Sequence, residues 1–238
     1  MRVLVITGAG VSAESGIPTF RGKNGYWRNL DPAKLATPEA FARGPELVWQ
    51  WYRERRERIR AAKPNAAHEA ITRLSVLVPA FLLVTQNVDD LHARTRIAKE
   101  KIVQIHGDIF VTRCSRCGEQ EPDRAENEEL PRCPACGAMM RPGVVWFGEQ
   151  LDSAKIDMVE RFLDGGPCDL VIVAGTTATF GYIIDWAVRG RAGRGELIEV
   201  NPEETALSPF ATKTWREPAA VALPRIVAAL PCGDVLPL

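Results

Sequence analysis

Two Cys-x-x-Cys pairs, Cys114 with Cys117 and Cys133 with Cys136, stand fifteen residues apart. Four soft ligands on two knuckles are what tetrahedral zinc requires. All four are sulfur, so no coordination position is left to activate a water. One structural Zn2+ per chain is predicted, holding an insertion together. Whatever fold the chain adopts must therefore carry a closed metal module over residues 111–141. The segment between the knuckles, residues 118–132, is acidic on balance and has no aromatic residue, which disfavours a nucleic-acid surface. Thiols kept for metal fit a reducing compartment. Cys168 and Cys232 read as buried, inert thiols.

The 238 residues are enough to bury a sizeable core, as one large domain or a large and a small one. Thirty basic and thirty acidic side chains cancel, so no bulk field draws the chain to nucleic acid or an anionic membrane. No apolar run approaches a membrane span, and no signal-peptide pattern opens the chain. A cytoplasmic protein, a monomer without nucleic-acid or membrane partners, is expected.

Residues 3–7 read as a short apolar strand running into Gly8-Ala9-Gly10-Val11-Ser12-Ala13, a G-x-G-x-x-A turn. Glycines there allow a tight turn and close approach of a pyrophosphate, which free N–H groups of a following helix would meet. The same turn needs glycine for steric reasons alone, and the acidic ribose contact some 20 residues on is not evident. Residues 31–64 turn helical. Thr37 before Pro38-Glu39 reads as a capped start, and residues 46–62 as a longer helix. Val48, Tyr52, Arg55 and Ile59 share its apolar stripe, which places Arg53, Arg56 and Arg60 elsewhere. An arginine on a buried stripe needs an anion, whether an internal carboxylate or a ligand, unless it snorkels to solvent. Further on, residues 68–77 read as a helix, and 81–85, 103–105, 170–174 and 197–200 as strands. Gln86, Asn87, Asp89, His106, Gly175 and Asn201 follow strand ends, where ligands gather in open α/β sheets. Taken singly, such residues are usually helix caps or turn chemistry.

Several motifs together resemble the sirtuin family. They are Gly8-Ala9-Gly10-Val11-Ser12, Gly16-Ile17-Pro18-Thr19-Phe20-Arg21-Gly22, Thr85-Gln86-Asn87-Val88-Asp89, His106-Gly107, the four cysteines, Pro142-Gly143-Val144-Val145-Trp146-Phe147-Gly148-Glu149 and Gly175-Thr176-Thr177. The resemblance covers nearly the whole chain. It implies an α/β fold with a Rossmann-like parallel-sheet large domain over residues 1–30, 65–110 and 142–238. It also implies a small domain made of a helical insertion, residues 31–64, and the zinc ribbon, residues 111–141. An NAD-dependent protein-lysine deacylase is implied, with acyl-lysine proteins or peptides bound in the cleft. The cofactor contacts carried over are Gly8, Ala9, Gly10, Ser12, Phe20, Arg21, Gln86, Asn87, Asp89, His106, Gly175, Thr176, Thr177, Asn201 and Ala219. Asn87 and Asp89 would hold the nicotinamide end, and His106, with an ordinary imidazole pKa near 6.5, would be the general base for a ribose hydroxyl. Val145, Phe147, Gly148 and Glu149 resemble the strand that pairs with substrate backbone.

Tyr52-Arg53-Glu54-Arg55 resembles the Tyr-x-x-Arg pair of the class III group, which removes succinyl, malonyl and glutaryl groups, and Ala36 resembles the small residue that widens their acyl pocket. Arg55 could clasp a terminal carboxylate, with the Tyr52 hydroxyl adding a third hydrogen bond. A desuccinylase and demalonylase with weaker deacetylase activity is the reading this favours. A plain deacetylase, an ADP-ribosyltransferase and, least favoured, a catalytically silent NAD sensor or zinc-ribbon adaptor stay open. The chain departs from the family pattern at Phe180, Gly181 and Tyr182, in a longer loop over residues 92–102, and at Asp90, which brings an extra negative charge near the site.

Overall fold

The computed structural model describes residues 1–19, 32–123, 130–193 and 195–230. Strand β1, Arg2–Thr7, is buried from residue 3 onward and leads into a 3-10 turn, Ala9–Ser15. Helices α1, Pro32–Leu35, α2, Pro38–Arg43, and α3, Pro45–Ala61, come next. The Thr37 side chain accepts the Ala40 N–H at 3.0 Å and Pro38 opens α2, as the sequence predicts. Helix α4, Ala66–Leu77, starts with a reciprocal cap between Asn65 and His68. Then come β2, Ala80–Thr85, β3, Ile102–Gln104, β4, Gly107–Cys114, β5, Gln120–Pro122, and β6, Met140–Val144. The chain continues with α5, Ser153–Asp164, β7, Leu170–Ala174, α6, Gly181–Arg191, β8, Glu196–Val200, β9, Lys213–Trp215, and α7, Ala219–Ala229.

Six strands form one parallel sheet in the order β3-β2-β1-β7-β8-β9. Its central strands read as continuous apolar runs because both faces are covered. Alternation along β1 sends Val3 and Val5 to the face packed by α4 and α7, and Leu4 and Ile6 to the face packed by α5 and α6. After β3 the chain returns to the other side of β1, so β1 and β7 flank the point where strand order reverses. A crevice opens there beyond the carboxyl ends of the strands.

Strands β5-β4-β6 form a separate antiparallel sheet that carries the cysteine knuckles. Helices α2 and α3 pack on it through Phe41, Trp49, Tyr52, Ile59, Ile109 and Trp146, in a core apart from the two on the parallel sheet. The architecture is the α/β arrangement expected: a Rossmann-like parallel sheet beside a small unit of helical insertion and cysteine ribbon.

One expectation about α3 fails. Arg56, not Arg55, is the arginine fully buried on its packed side, at 1% exposure. Its guanidinium donates to the Asp123 carboxylate at 2.6 Å and to the Ile109 carbonyl at 2.6 Å. The broad apolar face of the helix reaches residue 56 because Trp49 and Ile59 flank it, and the internal carboxylate that a buried arginine requires is Asp123.

Candidate active site

The crevice between β1 and β7 is lined by turns that need glycine. A Cβ at Gly10 would lie 2.7 Å from the Cα of Gly175, and one at Gly175, where φ is +62°, would lie 2.4 Å from the Val11 nitrogen. Gly8 donates to the Ala174 carbonyl at 3.0 Å and Gly10 to the Gly175 carbonyl at 2.8 Å. These glycines are therefore required by backbone packing between the two turns, and the N–H groups of Gly8 and Gly10 are spent inside the protein. Ala9 is half-buried at the same turn, Thr176 half-buried and Thr177 exposed. Gln86 crosses between the strands, its amide donating to Thr176 Oγ1 at 3.0 Å. Phe20 and Arg21 lie outside the described residues.

Behind the turns sits a buried polar line. The Asn87 amide donates to Ser12 Oγ at 3.1 Å, and Ser12 Oγ donates to Asp89 Oδ2 at 3.0 Å. Asn87 and Asp89 are 5% and 6% exposed. Burial pushes the Asp89 carboxyl up to about 6, against the hydrogen bonds from the Leu91 N–H and Ser12. Asp90 pushes it the same way and the Arg55 charge opposes. Asp90 itself is paired with Arg94 at 2.6 Å, one helical turn on, so the extra negative charge expected there arrives with its own counter-ion.

His106 joins the group from the end of β3. Its position is set by Gly107, whose φ is +87° and where a Cβ would lie 2.3 Å from the Gly143 carbonyl of β6. The imidazole lies 3.0 Å through Nδ1 from the Gln86 carbonyl and 2.6 Å through Nε2 from the Tyr182 hydroxyl. A carbonyl can only accept, so Nδ1 carries the hydrogen and Nε2 offers its lone pair. An ordinary imidazole was expected at this position. Burial, aided by Lys155 and opposed by the Gln86 carbonyl, instead lowers its pKa to about 4.

Other expected residues lie around this centre. Tyr52 is buried at 1% exposure, and its hydroxyl oxygen accepts the Trp146 indole N–H at 2.9 Å. The Arg55 guanidinium lies 5.4 Å from the Tyr52 ring centroid and 5.0 Å from that of Trp51. Ala36 is buried, and its carbonyl accepts the Phe147 N–H at 2.9 Å. The segment with Val145, Phe147, Gly148 and Glu149 is not a strand, since β6 ends at Val144. Val145 donates to the His106 carbonyl at 2.8 Å and Glu149 to the Trp146 carbonyl at 3.0 Å, so those N–H groups are already used. The Glu149 carboxylate pairs with Arg141 and accepts the Trp146 N–H at 2.8 Å, which makes it a brace for this turn. Asn201 directly follows β8, its amide donating to the Glu203 carbonyl at 2.8 Å, and Ala219 is buried at the start of α7. The contact of Tyr182 with His106 was not foreseen. Tyr182 stood out in the sequence only as a departure.

The metal module is well formed. The four Sγ atoms of Cys114, Cys117, Cys133 and Cys136 lie within 4.8 Å of one another, with pairs at 3.5 and 3.6 Å. Tetrahedral zinc with bonds of about 2.3 Å sets its sulfurs about 3.8 Å apart, so the cage fits the ion. It offers no oxygen or nitrogen ligand, as a structural site requires.

The Sir2 family profile matches residues 8–180. The chain is 40% identical over 229 residues to an NAD-dependent protein deacylase of Aquifex aeolicus, covering 95% of this chain and 94% of that protein. It is 43% identical over 227 residues to NAD-dependent protein deacylase 1 of Archaeoglobus fulgidus, covering 94% and 91%. Among solved structures, a Sir2 homologue in complex with NAD superposes with a TM-score of 0.87 at 41% identity, covering 95% of this chain and 88% of that one. Fold, motif order and these likenesses agree: the chain belongs to the Sir2 family.

Proposed function

We propose that this chain is an NAD-dependent protein-lysine deacylase that prefers succinyl- and malonyl-lysine to acetyl-lysine. The observation carrying the deacylase reading is the arrival of His106, Asn87 and Asp89 together at the crevice between β1 and β7. The names of its relatives support it. The donor set also suits the dinucleotide. Asn87, Ser12 and a buried carboxyl form a site of low charge beside a glycine-walled crevice, which fits a carboxamide ring and a passing backbone.

When bound, NAD supplies a ribose carbon that takes up the acyl oxygen and a nicotinamide that departs, with O-acyl-ADP-ribose as the product. Gly8, Ala9, Gly10 and Ser12 would hold its pyrophosphate side, and the family resemblance adds Phe20 and Arg21, which lie outside the described residues. Gln86, Gly175, Thr176 and Thr177 would take the ribose, and Asn201 and Ala219 the adenosine. Asn87 and Asp89 would orient the nicotinamide end, and His106 Nε2 would be the base that takes up the proton released when a ribose hydroxyl reacts. The zinc held by Cys114, Cys117, Cys133 and Cys136 fixes the β4–β6 ribbon and takes no part in the chemistry. Val145, Phe147 and Gly148 border the peptide.

The acyl preference rests on Arg55 and Tyr52. The Tyr52 oxygen accepts from Trp146, which leaves its own O–H to donate to a carboxylate, and Arg55 adds its guanidinium beside the same ring. Ala36, with its small side chain, would crowd the longer acyl chain less than a bulkier residue there. The cysteine usage suits a reducing, cytoplasmic setting, and among the described residues no helix is long and apolar enough to cross a membrane. The test is incubation with NAD and matched acetyl-, malonyl- and succinyl-lysine peptides. Nicotinamide release that depends on the acyl peptide, fastest with the dicarboxylic groups, is expected. ADP-ribose appearing on a protein acceptor with no loss of acyl group would overturn the reading.

A further inference from the structure

The departure at Phe180, Gly181 and Tyr182 places a hydroxyl on the one open nitrogen of His106. The contact is 2.6 Å, and the Nδ1 hydrogen is committed to the Gln86 carbonyl, so Tyr182 is the donor and Nε2 the acceptor. The tyrosine ring is held on both sides. Phe180 stacks on it at 5.6 Å with planes 15° apart, and Trp186 packs against it at 5.0 Å. Trp186 is anchored in turn, its indole N–H donating to Glu160 at 2.9 Å. Phe180 also meets the His106 ring edge-on at 5.5 Å. A half-buried hydroxyl so fixed can donate to Nε2 while its oxygen accepts from a second donor.

We infer that Tyr182 relays the proton between the ribose hydroxyl of the dinucleotide and His106. This rests on the deacylase reading above. In the step, the ribose O–H bond breaks and its proton bonds to Tyr182 Oη, while the proton of Oη bonds to His106 Nε2. The ribose oxygen would keep the electron pair for its bond to the acyl carbon, whose double bond to the lysine nitrogen opens and leaves its pair on that nitrogen. Tyr182 ends the step neutral, and the imidazolium keeps its Nδ1–H on the Gln86 carbonyl.

The test is Tyr182→Phe, which keeps the ring between Phe180 and Trp186 and removes only the hydroxyl. In the protein without ligands, nitrogen-15 spectra resolve the three histidines. The His106 Nε2 signal should move toward that of an unbonded acceptor nitrogen in the variant, with the Nδ1–H tautomer retained. With NAD and acyl peptide, nicotinamide exchange should stay within about twofold, while acyl transfer should fall about 10- to 100-fold, as expected on loss of a proton-transfer group. Solvent-isotope titration of that step should report two protons in flight in the unmodified protein and one in the variant. An unmoved Nε2 signal, acyl transfer at or above the original rate, or an equal fall in exchange and transfer would overturn the relay. If the unmodified protein releases no nicotinamide with any acyl peptide, the deacylase reading falls, and the relay with it.

Discussion

The titrating side chains near the sheet's carboxyl edge set how the protein responds to acid. Burial lowers the His68 and His106 imidazoles to about 4 and holds the His92 imidazole well below its ordinary value, while it raises the Asp89 carboxyl to about 6. His68 and His92 pack at 4.6 Å, and each has one buried ring nitrogen without a partner among the described residues. A histidine with a depressed folded pKa takes up its proton first in the unfolded chain. Its contribution to stability is thus complete above about 6.5 and is lost as pH falls toward about 4. Asp89 acts oppositely, because a raised carboxyl pKa favours the folded state in acid and its contribution is lost as pH rises through about 6. The histidines outnumber it, so the unfolding free energy in urea should drop between pH 7 and 4.5. His92→Gln should flatten that slope. A flat or rising profile in the unmodified protein would contradict the burial of neutral imidazoles.

Between elements, the decisive link is the one from α3 to the cysteine ribbon. Asp123 takes Arg56 at 2.6 Å and Arg60 at 2.9 Å, but Arg56 is buried whereas the Arg60 side chain is 40% exposed. Removing a buried partner leaves an uncompensated charge, so Asp123→Ala should cost about 3–5 kcal/mol, and Arg60→Ala less than about 1 kcal/mol. Urea melts of the two variants check the difference, and equal losses would show that burial does not govern this pair. The same link shows where sequence reading stops. Helical spacing places Arg55 on the stripe and Arg56 off it, and what draws Arg56 inward is Asp123, 67 positions away. The Thr37 cap, five of the six strands of the parallel sheet and the cysteine cage were legible because their signals are local: a cap three residues from its donor, a run of apolar residues, a fixed spacing of thiols; the exposed edge strand β9 carries no such run. The Tyr182 bond to His106 spans 76 positions between a strand end and a helix start, and no local pattern encodes it. The segment after β6 shows the same limit. Its motif resembles a strand that pairs with substrate, and only the fold shows that the N–H groups of Val145, Phe147 and Glu149 meet the carbonyls of His106, Ala36 and Trp146.

In the molecule as a whole, a crevice at the edge of one sheet stands beside a helix braced on another, and the proposed activity needs both. The zinc cage stands at the far end of β4, the strand that opens at Gly107 beside His106, so metal loss should reach the site through that strand. Metal analysis should give one zinc per chain, and Cys117→Ser should lower both zinc content and the melting temperature. Full zinc content in that variant would contradict the four-thiolate cage. The central claim is that one protein reads a dicarboxylic acyl group with α3 and removes it at His106. The most direct measurement is kcat/KM on succinyl- and acetyl-lysine peptides for the unmodified protein and Arg55→Met. A fall of about 30- to 150-fold on the succinyl peptide, roughly 2–3 kcal/mol, is expected, with the acetyl peptide nearly unaffected. An equal fall on both peptides would make Arg55 a structural residue and contradict the assignment.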